Sequence, residues 1–375
     1  MKKILFIFGT RPEAIKLASI IRVFKKHPNY QTKICLTAQH RQMVDQVIDF
    51  FDLKADFDLN LMKPDQTLAM LTSKALEKLD LIITKEKPQL VIVQGDTTSA
   101  FIGALSAFYH QVPVVHIEAG LRSGKKNSPF PEEINRVLIS RLADYHFAPT
   151  SEAKNNLLKE GIKKNVWVVG NSVIDALKIG LEIIKSEPEN DYRLYFKSID
   201  FNKKIILITG HRRESFGKPF EEFCQAIKQL SKNQELEIVY PVHLNPNVRR
   251  PVEEILHNIH NIHLIDPLDY PRFISLMSKA YLVITDSGGV QEEAPALGKP
   301  VIVTREVTER SEGIKSGNAI LTGTNRKKII TTVDRLVNSD TVYKKMARTA
   351  HLYGTGKSAE KIFKILNILM AVNKK

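Results

Sequence analysis

The chain has 375 residues, a hydrophobic fraction of 43% and a net charge of +14, from 55 Lys and Arg against 41 Asp and Glu. That length exceeds one typical domain and lets each of two domains bury a core, while no apolar run reaches membrane-spanning length. The Lys and Arg residues are scattered, with no basic stripe interleaved with aromatics, so the charge predicts a solvated basic surface that suits a small anionic substrate; neither nucleic acid nor membrane is expected as a partner.

Near the N-terminus the apolar stretch Ile4–Phe8 is short and runs into a charged turn, so it is expected to be a first strand and not a signal peptide. Cys35 falls in an apolar strand and Cys224 in a helical pattern, far apart and without metal spacing, which fits a reducing, cytoplasmic location. Strand-like runs follow at Thr32–Thr37, Leu90–Gln94, Val112–Ile117, His146–Ala148 and Val166–Val169, then at Lys204–Thr209, Leu236–Pro241, Ile262–Ile265, Tyr281–Thr285 and Val301–Val303. Helical patterns separate them. Such alternation predicts an α/β fold with parallel sheets covered on both faces and ligands at the carboxyl ends of the strands.

An internal echo suggests two similar halves. Gly9-Thr10-Arg11-Pro12-Glu13 follows the first strand, and Gly210-His211-Arg212-Arg213-Glu214 follows the strand that opens the second half. The expected division is a first domain over 1–170 and a second over 171–357. A final helix over 358–372, after the glycine-containing hinge Tyr353-Gly354-Thr355-Gly356, is expected to cross back onto the first.

The loops after the strands are where chemistry is sought. Thr10-Arg11-Pro12-Glu13 has the form of a capping box, which leaves Arg11 and Lys16 to meet a diphosphate. Asp96 and Glu118 each end an apolar strand. One such acid serves equally as a helix cap or loop ion pair, whereas two on neighbouring strands converge on one cleft. Glu132 and Glu133 fall in the first turn of a helix, a capping position by default. His211 suits proton transfer near neutral pH, with a structural role as the alternative. In Asp286-Ser287-Gly288-Gly289 the glycines between a strand and a helix let amides approach a phosphate, and Glu292 or Glu293 can take the hydroxyls of a ribose. His257, His260 and His263 straddle a helix end and a strand and are expected to be structural. The chain has no HExxH, paired Cys, P-loop or full GxGxxG, so no metal, ATP or dinucleotide cofactor is indicated.

Taken together, GTRPEAIK at Gly9–Lys16, GDTT at Gly95–Thr98, HIEAGLR at His116–Arg122, PEEINR at Pro131–Arg136, GNSVIDAL at Gly170–Leu177, GHRRESFG at Gly210–Gly217 and TDSGGVQEEAPALGKP at Thr285–Pro300 resemble the bacterial non-hydrolysing UDP-N-acetylglucosamine 2-epimerases. The resemblance implies two Rossmann-like, doubly wound domains facing across a cleft, as in the GT-B fold, and a homodimer interconverting UDP-GlcNAc and UDP-ManNAc for surface polysaccharide. It implies Asp96, Glu118, Glu132 and His211 as the catalytic set, and Arg11, Lys16, Phe273, Ser287, Gly288, Gly289, Glu293 and Arg310 as ligands of UDP. Leu268 stands where relatives often carry Gln. An activating second UDP-GlcNAc would bind through Gln39, Gln42, Gln66, Arg212 and His243. Asp96→Asn, Glu118→Gln and Glu132→Gln are expected to stay folded with near-native melting while turning over far more slowly. The competing expectations are a hydrolysing epimerase, which releases free ManNAc and UDP, and a GT-B glycosyltransferase.

Overall fold

From Ile4 to Phe8 every side chain of β1 (Lys2–Phe8) is fully buried, the pattern of a parallel strand with helices on both faces. The structure, a computed structural model, describes residues 1–37, 41–62, 66–186 and 190–372. It divides into two compact units, Met1–Ile179 with Tyr353–Lys375, and Gly180–Leu352.

In the first unit β1 is joined by β2 (Tyr30–Leu36), β3 (Phe57–Asp58), β4 (Leu90–Gln94), β5 (Val114–Ile117), β6 (Tyr145–Ala148) and β7 (Val166–Val168). They form a 7-stranded sheet in the order β3-β2-β1-β4-β5-β6-β7, with every pair parallel. The order reverses between β1 and β4, and a crevice opens at such a switch point above the strand ends. The helix Thr98–Tyr109 lies close on the sheet: a Cβ on Gly103 would sit 3.1 Å from the side chains of Ile7 and Val93. β5 begins only after Pro113, which has no N–H to give the ladder although its carbonyl accepts from Val91.

The chain stays in this unit beyond Gly170, the boundary expected from sequence. Asn171 donates its N–H to the Tyr353 carbonyl at 2.6 Å. Buried Asp175 then accepts from the amides of Ser358 (3.1 Å) and Ala359 (2.9 Å), capping the helix Ser358–Val372. That helix packs on the helix Arg11–Lys25, with Phe363 5.0 Å from Phe24 in edge-to-face contact and Tyr30 donating to Asn367 at 2.6 Å.

The second unit contains β8 (Lys204–Thr209), β9 (Leu236–Pro241), β10 (Ile262–Ile265), β11 (Leu282–Thr285), β12 (Val301–Val303) and β13 (Ala319–Leu321). These make a 6-stranded parallel sheet in the order β10-β9-β8-β11-β12-β13, with its switch point between β8 and β11. Ile206, Ile208, Phe223, Ile238, Tyr240 and Ile284 are core residues. Buried Tyr240 satisfies its hydroxyl on the Gly210 carbonyl at 2.9 Å, bracing the loop after β8. Both units are therefore Rossmann-like, and the fold is GT-B-like. The edge strands β3 and β13 were not expected from sequence, because neither has a β-branched run long enough to stand out. Among the described residues, no helix is long and apolar enough to cross a membrane.

Candidate active site

In the first unit the switch point is bridged by Glu13. Its Oε2 accepts from the amides of Gly9 (3.1 Å) and Thr10 (2.8 Å), and its Oε1 from the Thr97 hydroxyl (2.6 Å). Glu13 thus starts its own helix, as expected, and also ties the loop after β1 to the loop after β4. Burial pushes its carboxyl up to about 6, against the pull of those hydrogen bonds.

Glu118 leaves β5 with a φ of +64°, a left-handed conformation that costs about 1 kcal/mol or more in a residue with a side chain. Its carboxylate is buried among donors. Lys16 Nζ reaches Oε1 at 2.6 Å and Oε2 at 2.7 Å, Asn171 Nδ2 donates to Oε1 at 2.8 Å, and Gln94 Nε2 donates to Oε2. Lys16, expected on a diphosphate, is thereby brought into a buried ion pair, with side chains 9% and 5% exposed. Asp96, at the end of neighbouring β4, accepts from Arg136 Nε at 2.8 Å, and Asn135 Nδ2 donates to the Asp96 carbonyl at 2.8 Å. Both partners lie on the helix Glu132–Leu142, so its first turns are fastened to Asp96. His116 braces the same turn, its Nε2 lying 2.8 Å from the Gly95 carbonyl. Burial takes His116 down to about 3 and its cross-strand neighbour His146 down to about 4, so both are neutral at physiological pH.

The adjacent acids Glu132 and Glu133 have different surroundings. Glu133 accepts from the amides of Ser123 (3.0 Å) and Gly124 (3.0 Å) and from Arg136 Nη1 (2.8 Å). Burial alone would raise its carboxyl, but those amides and Arg136 outweigh it and hold it below the usual range. Glu132 is half-buried, and its Oε2 is a buried oxygen with no hydrogen-bond partner among the described residues. Glu133 is built into the loop, while Glu132 Oε2 is tied to no donor among the described residues. Glu132→Gln should therefore melt like the parent and lose on the order of 10²–10⁴-fold in kcat. Glu133→Gln, which can no longer accept from Arg136 and both amides as a carboxylate, should melt measurably lower. Circular-dichroism melts and turnover on the same preparations check the pair, and equal melting of the two variants would contradict this assignment.

In the second unit Ser287 precedes the helix Gly288–Ala296 in extended conformation, and its N–H donates to Thr285 Oγ1 at 2.9 Å. The opening amides of such a helix have no intrahelical acceptor and favour an anion. A Cβ on Gly288 would lie 3.2 Å from Arg310 Cζ, so only glycine leaves the guanidinium where it is. Arg310 Nε donates to Glu292 Oε1 at 2.9 Å, so Glu292 is ion-paired with Arg310. Glu293 is oriented by the Tyr270 hydroxyl, which donates to Oε1 at 2.9 Å. Tyr270 and Phe273 are one turn apart on the helix Tyr270–Lys279, so they share a face. Leu268 is buried and has no polar group to offer a base.

His211 follows β8 with its side chain 42% exposed. Its ring stacks on that of His243, with centroids 5.1 Å apart and planes at 10°. Of the residues expected to bind an activating nucleotide, Gln39 and the side chain of Gln42 lie outside the described residues, and Gln66 is in the first unit. Arg212 and His243 flank His211 in the second. Sequence reasoning assigned no role to Gln94, Asn171, Tyr270 or Asp286, which hold Glu118, Glu293 and the loop after β8.

A family model described as UDP-N-acetylglucosamine 2-epimerase matches residues 22–367. The UDP-N-acetylglucosamine 2-epimerase of Yersinia pestis is 48% identical over 97% of this chain and 98% of its own, and that of Campylobacter jejuni is 46% identical over 98% and 97%. A crystal structure of UDP-GlcNAc 2-epimerase from Neisseria meningitidis bound to UDP-GlcNAc superposes with a TM-score of 0.93 at 46% identity, covering 97% of this chain and 99% of that one. One from Methanocaldococcus jannaschii, in complex with UDP-GlcNAc and UDP, gives 0.83 at 36% identity over 98% and 100%. A sucrose-phosphate synthase from Thermosynechococcus elongatus shares the fold alone, at 12% identity and a TM-score of 0.65. With near half its residues shared along almost its whole length, the chain belongs to the UDP-N-acetylglucosamine 2-epimerase family.

Proposed function

We propose that this chain inverts C2 of UDP-GlcNAc to give UDP-ManNAc by eliminating UDP and adding it back, with no net hydrolysis. The observation that carries the reading is the carboxylate array of the first unit, where Asp96 and Glu118 end neighbouring strands and Glu132 leads the helix fastened to Asp96. Inversion at a carbon whose hydrogen is weakly acidic needs proton removal on one face and delivery on the other, hence more than one positioned acid or base.

In the forward half-reaction the C1–O bond breaks and its electron pair leaves with the diphosphate. Positive charge at C1 acidifies the C2 hydrogen, a carboxylate takes that proton, and the electrons of the C2–H bond form the C1=C2 double bond of a glycal. The return half-reaction protonates C2 from the opposite face as the diphosphate oxygen rebuilds the bond to C1. The Ser287-Gly288-Gly289 turn, Arg310 and Arg11 stabilise the departing diphosphate, Glu293 takes the ribose hydroxyls, and Phe273 lies against the uracil. Asp96, Glu118, Glu132 and His211 share the proton transfers. The sequence requires no oxidant, because the electrons leave and return with the same UDP.

The test is turnover of UDP-GlcNAc in D₂O followed by NMR. UDP-ManNAc should carry deuterium at C2, and recovered UDP-GlcNAc should acquire it as cycles accumulate. Free ManNAc with stoichiometric UDP would instead establish the hydrolysing reaction. Protium retained at C2 would remove the elimination mechanism.

A further inference from the structure

In the second sheet the switch point is bridged by a buried carboxylate that the proposed chemistry does not use. Asp286 follows β11 and is 3% exposed. Its Oδ2 accepts from the amides of His211 (2.6 Å) and Arg212 (2.8 Å), and its own N–H donates to the Thr209 carbonyl at 3.2 Å. Its Oδ1 has no hydrogen-bond partner among the described residues and lies 3.5 Å from His211 Nδ1. A buried carboxylate oxygen left without a donor calls for a reason, and the nearby imidazole nitrogen supplies one.

We propose that Asp286 is the positioning residue for His211: it fixes the loop through two amides and draws the ring proton to Nδ1, so that Nε2 is the nitrogen presented to substrate. The inference rests on the proposed role of His211 in proton transfer. The distance of 3.5 Å is longer than a formed hydrogen bond, and contacts of this kind tighten in the liganded state. A neutral histidine beside a carboxylate places its proton on the nitrogen facing that carboxylate, which leaves the other as acceptor. The stacked ring of His243 limits rotation from the flank. His243 Nδ1 accepts from the Asn245 amide at 3.1 Å, so that ring is itself held by its own loop. Asp286 thus does for this loop what Glu13 does for the loop after β1, and adds control of a tautomer.

Asp286→Asn separates the two duties. The replacement amide oxygen can still accept from the amides of His211 and Arg212, while its NH₂ faces Nδ1 and forces the ring proton to Nε2. UDP affinity should stay within about twofold of the parent, while kcat falls on the order of 10²–10⁴-fold, as loss of an oriented proton-transfer group does. Asp286→Ala should lose both kcat and thermal stability. The tautomer is read directly in the full-length parent by long-range ¹H–¹⁵N correlation on histidine-labelled protein, with and without UDP, the His211 signals being identified by their loss in His211→Gln. Nδ1–H in the neutral parent and Nε2–H in Asp286→Asn are expected. Nε2–H in the UDP-bound parent, or an Asp286→Asn kcat within about threefold of the parent, overturns the inference. The spectrum of the parent decides the matter even if the variant does not fold. A parent that leaves UDP-GlcNAc unchanged would instead count against the proposed function, and the tautomer would still be read.

Discussion

Glu118→Gln should lower kcat on the order of 10²–10⁴-fold and also lower the stability of the first unit. The second effect departs from the expectation drawn from sequence, which treated the swap as structurally silent. Lys16 Nζ lies 2.6 Å from Glu118 Oε1 in an ion pair with both side chains under a tenth exposed. Removing one partner of a buried pair leaves the other charge uncompensated, typically at about 3–5 kcal/mol. A glutamine oxygen can still accept one hydrogen bond from the ammonium, so about 2–3 kcal/mol is expected here. Lys16→Met combined with Glu118→Gln removes both charges and should recover most of the stability without recovering turnover. Urea titrations of the two single variants and the double variant measure this. A double variant no more stable than Glu118→Gln would mean that the pair does not set the loss.

The largest loss of stability is expected from Gly120→Ala, which deletes nothing. Gly120 has a φ of +91°, and a Cβ there would stand 2.1 Å from the Ala153 carbonyl oxygen and 3.0 Å from Leu157 Cγ. The oxygen belongs to the backbone of the helix Ser151–Lys159, which cannot step aside as a side chain could. Either that helix or the turn after β5 must move, at a cost of about 4 kcal/mol or more. Gly161→Ala isolates the strain of the dihedral, since Gly161 has a φ of +84° and nothing within 4 Å of its Cβ direction. It should cost only about 1–2 kcal/mol. Glu118 lies two residues before Gly120, so any Gly120→Ala protein that folds should also turn over slowly. Thermal melts of the two alanine variants test the comparison, and similar midpoints would show that the helix yields.

Most of the strands, and the loops after them that are proposed to carry the site, were legible in the sequence, because a buried parallel strand is a continuous apolar run and the polar residues just after it mark the ligand end of the sheet. Asp96, Glu118 and His211 were singled out as candidates this way, and Ser287 by the two glycines that follow it. The residues that hold them were given no such role, although Asp286 immediately follows β11, because what each of them reaches lies far along the chain. Gln94 and Asn171 reach Glu118 from 24 and 53 positions away, and Asp286 reaches His211 from 75. No local pattern records such pairings. The echo between Gly9–Glu13 and Gly210–Glu214 also proved topological and not chemical. Glu13 is buried and bridges its switch point, whereas Glu214 is 50% exposed and meets Arg305 at 2.9 Å, leaving Asp286 to bridge the second.

The way the chain is divided between its units sets the order in which they are completed. Gly180–Leu352 is a continuous segment set inside a discontinuous one, for the first unit takes Tyr353–Lys375 as well as Met1–Ile179. During synthesis the ribosome delivers the sheet β1–β7 first, yet Phe24, Tyr30 and Asp175 must wait for Phe363, Asn367 and the amides of Ser358 and Ala359. The inserted segment has all its strands before those partners emerge. Domains generally fold as they are completed, so the unit Gly180–Leu352 is finished while the unit bearing Asp96 and Glu118 is still one helix short. A nascent chain stalled before Ser358 would therefore expose the apolar face of Arg11–Lys25.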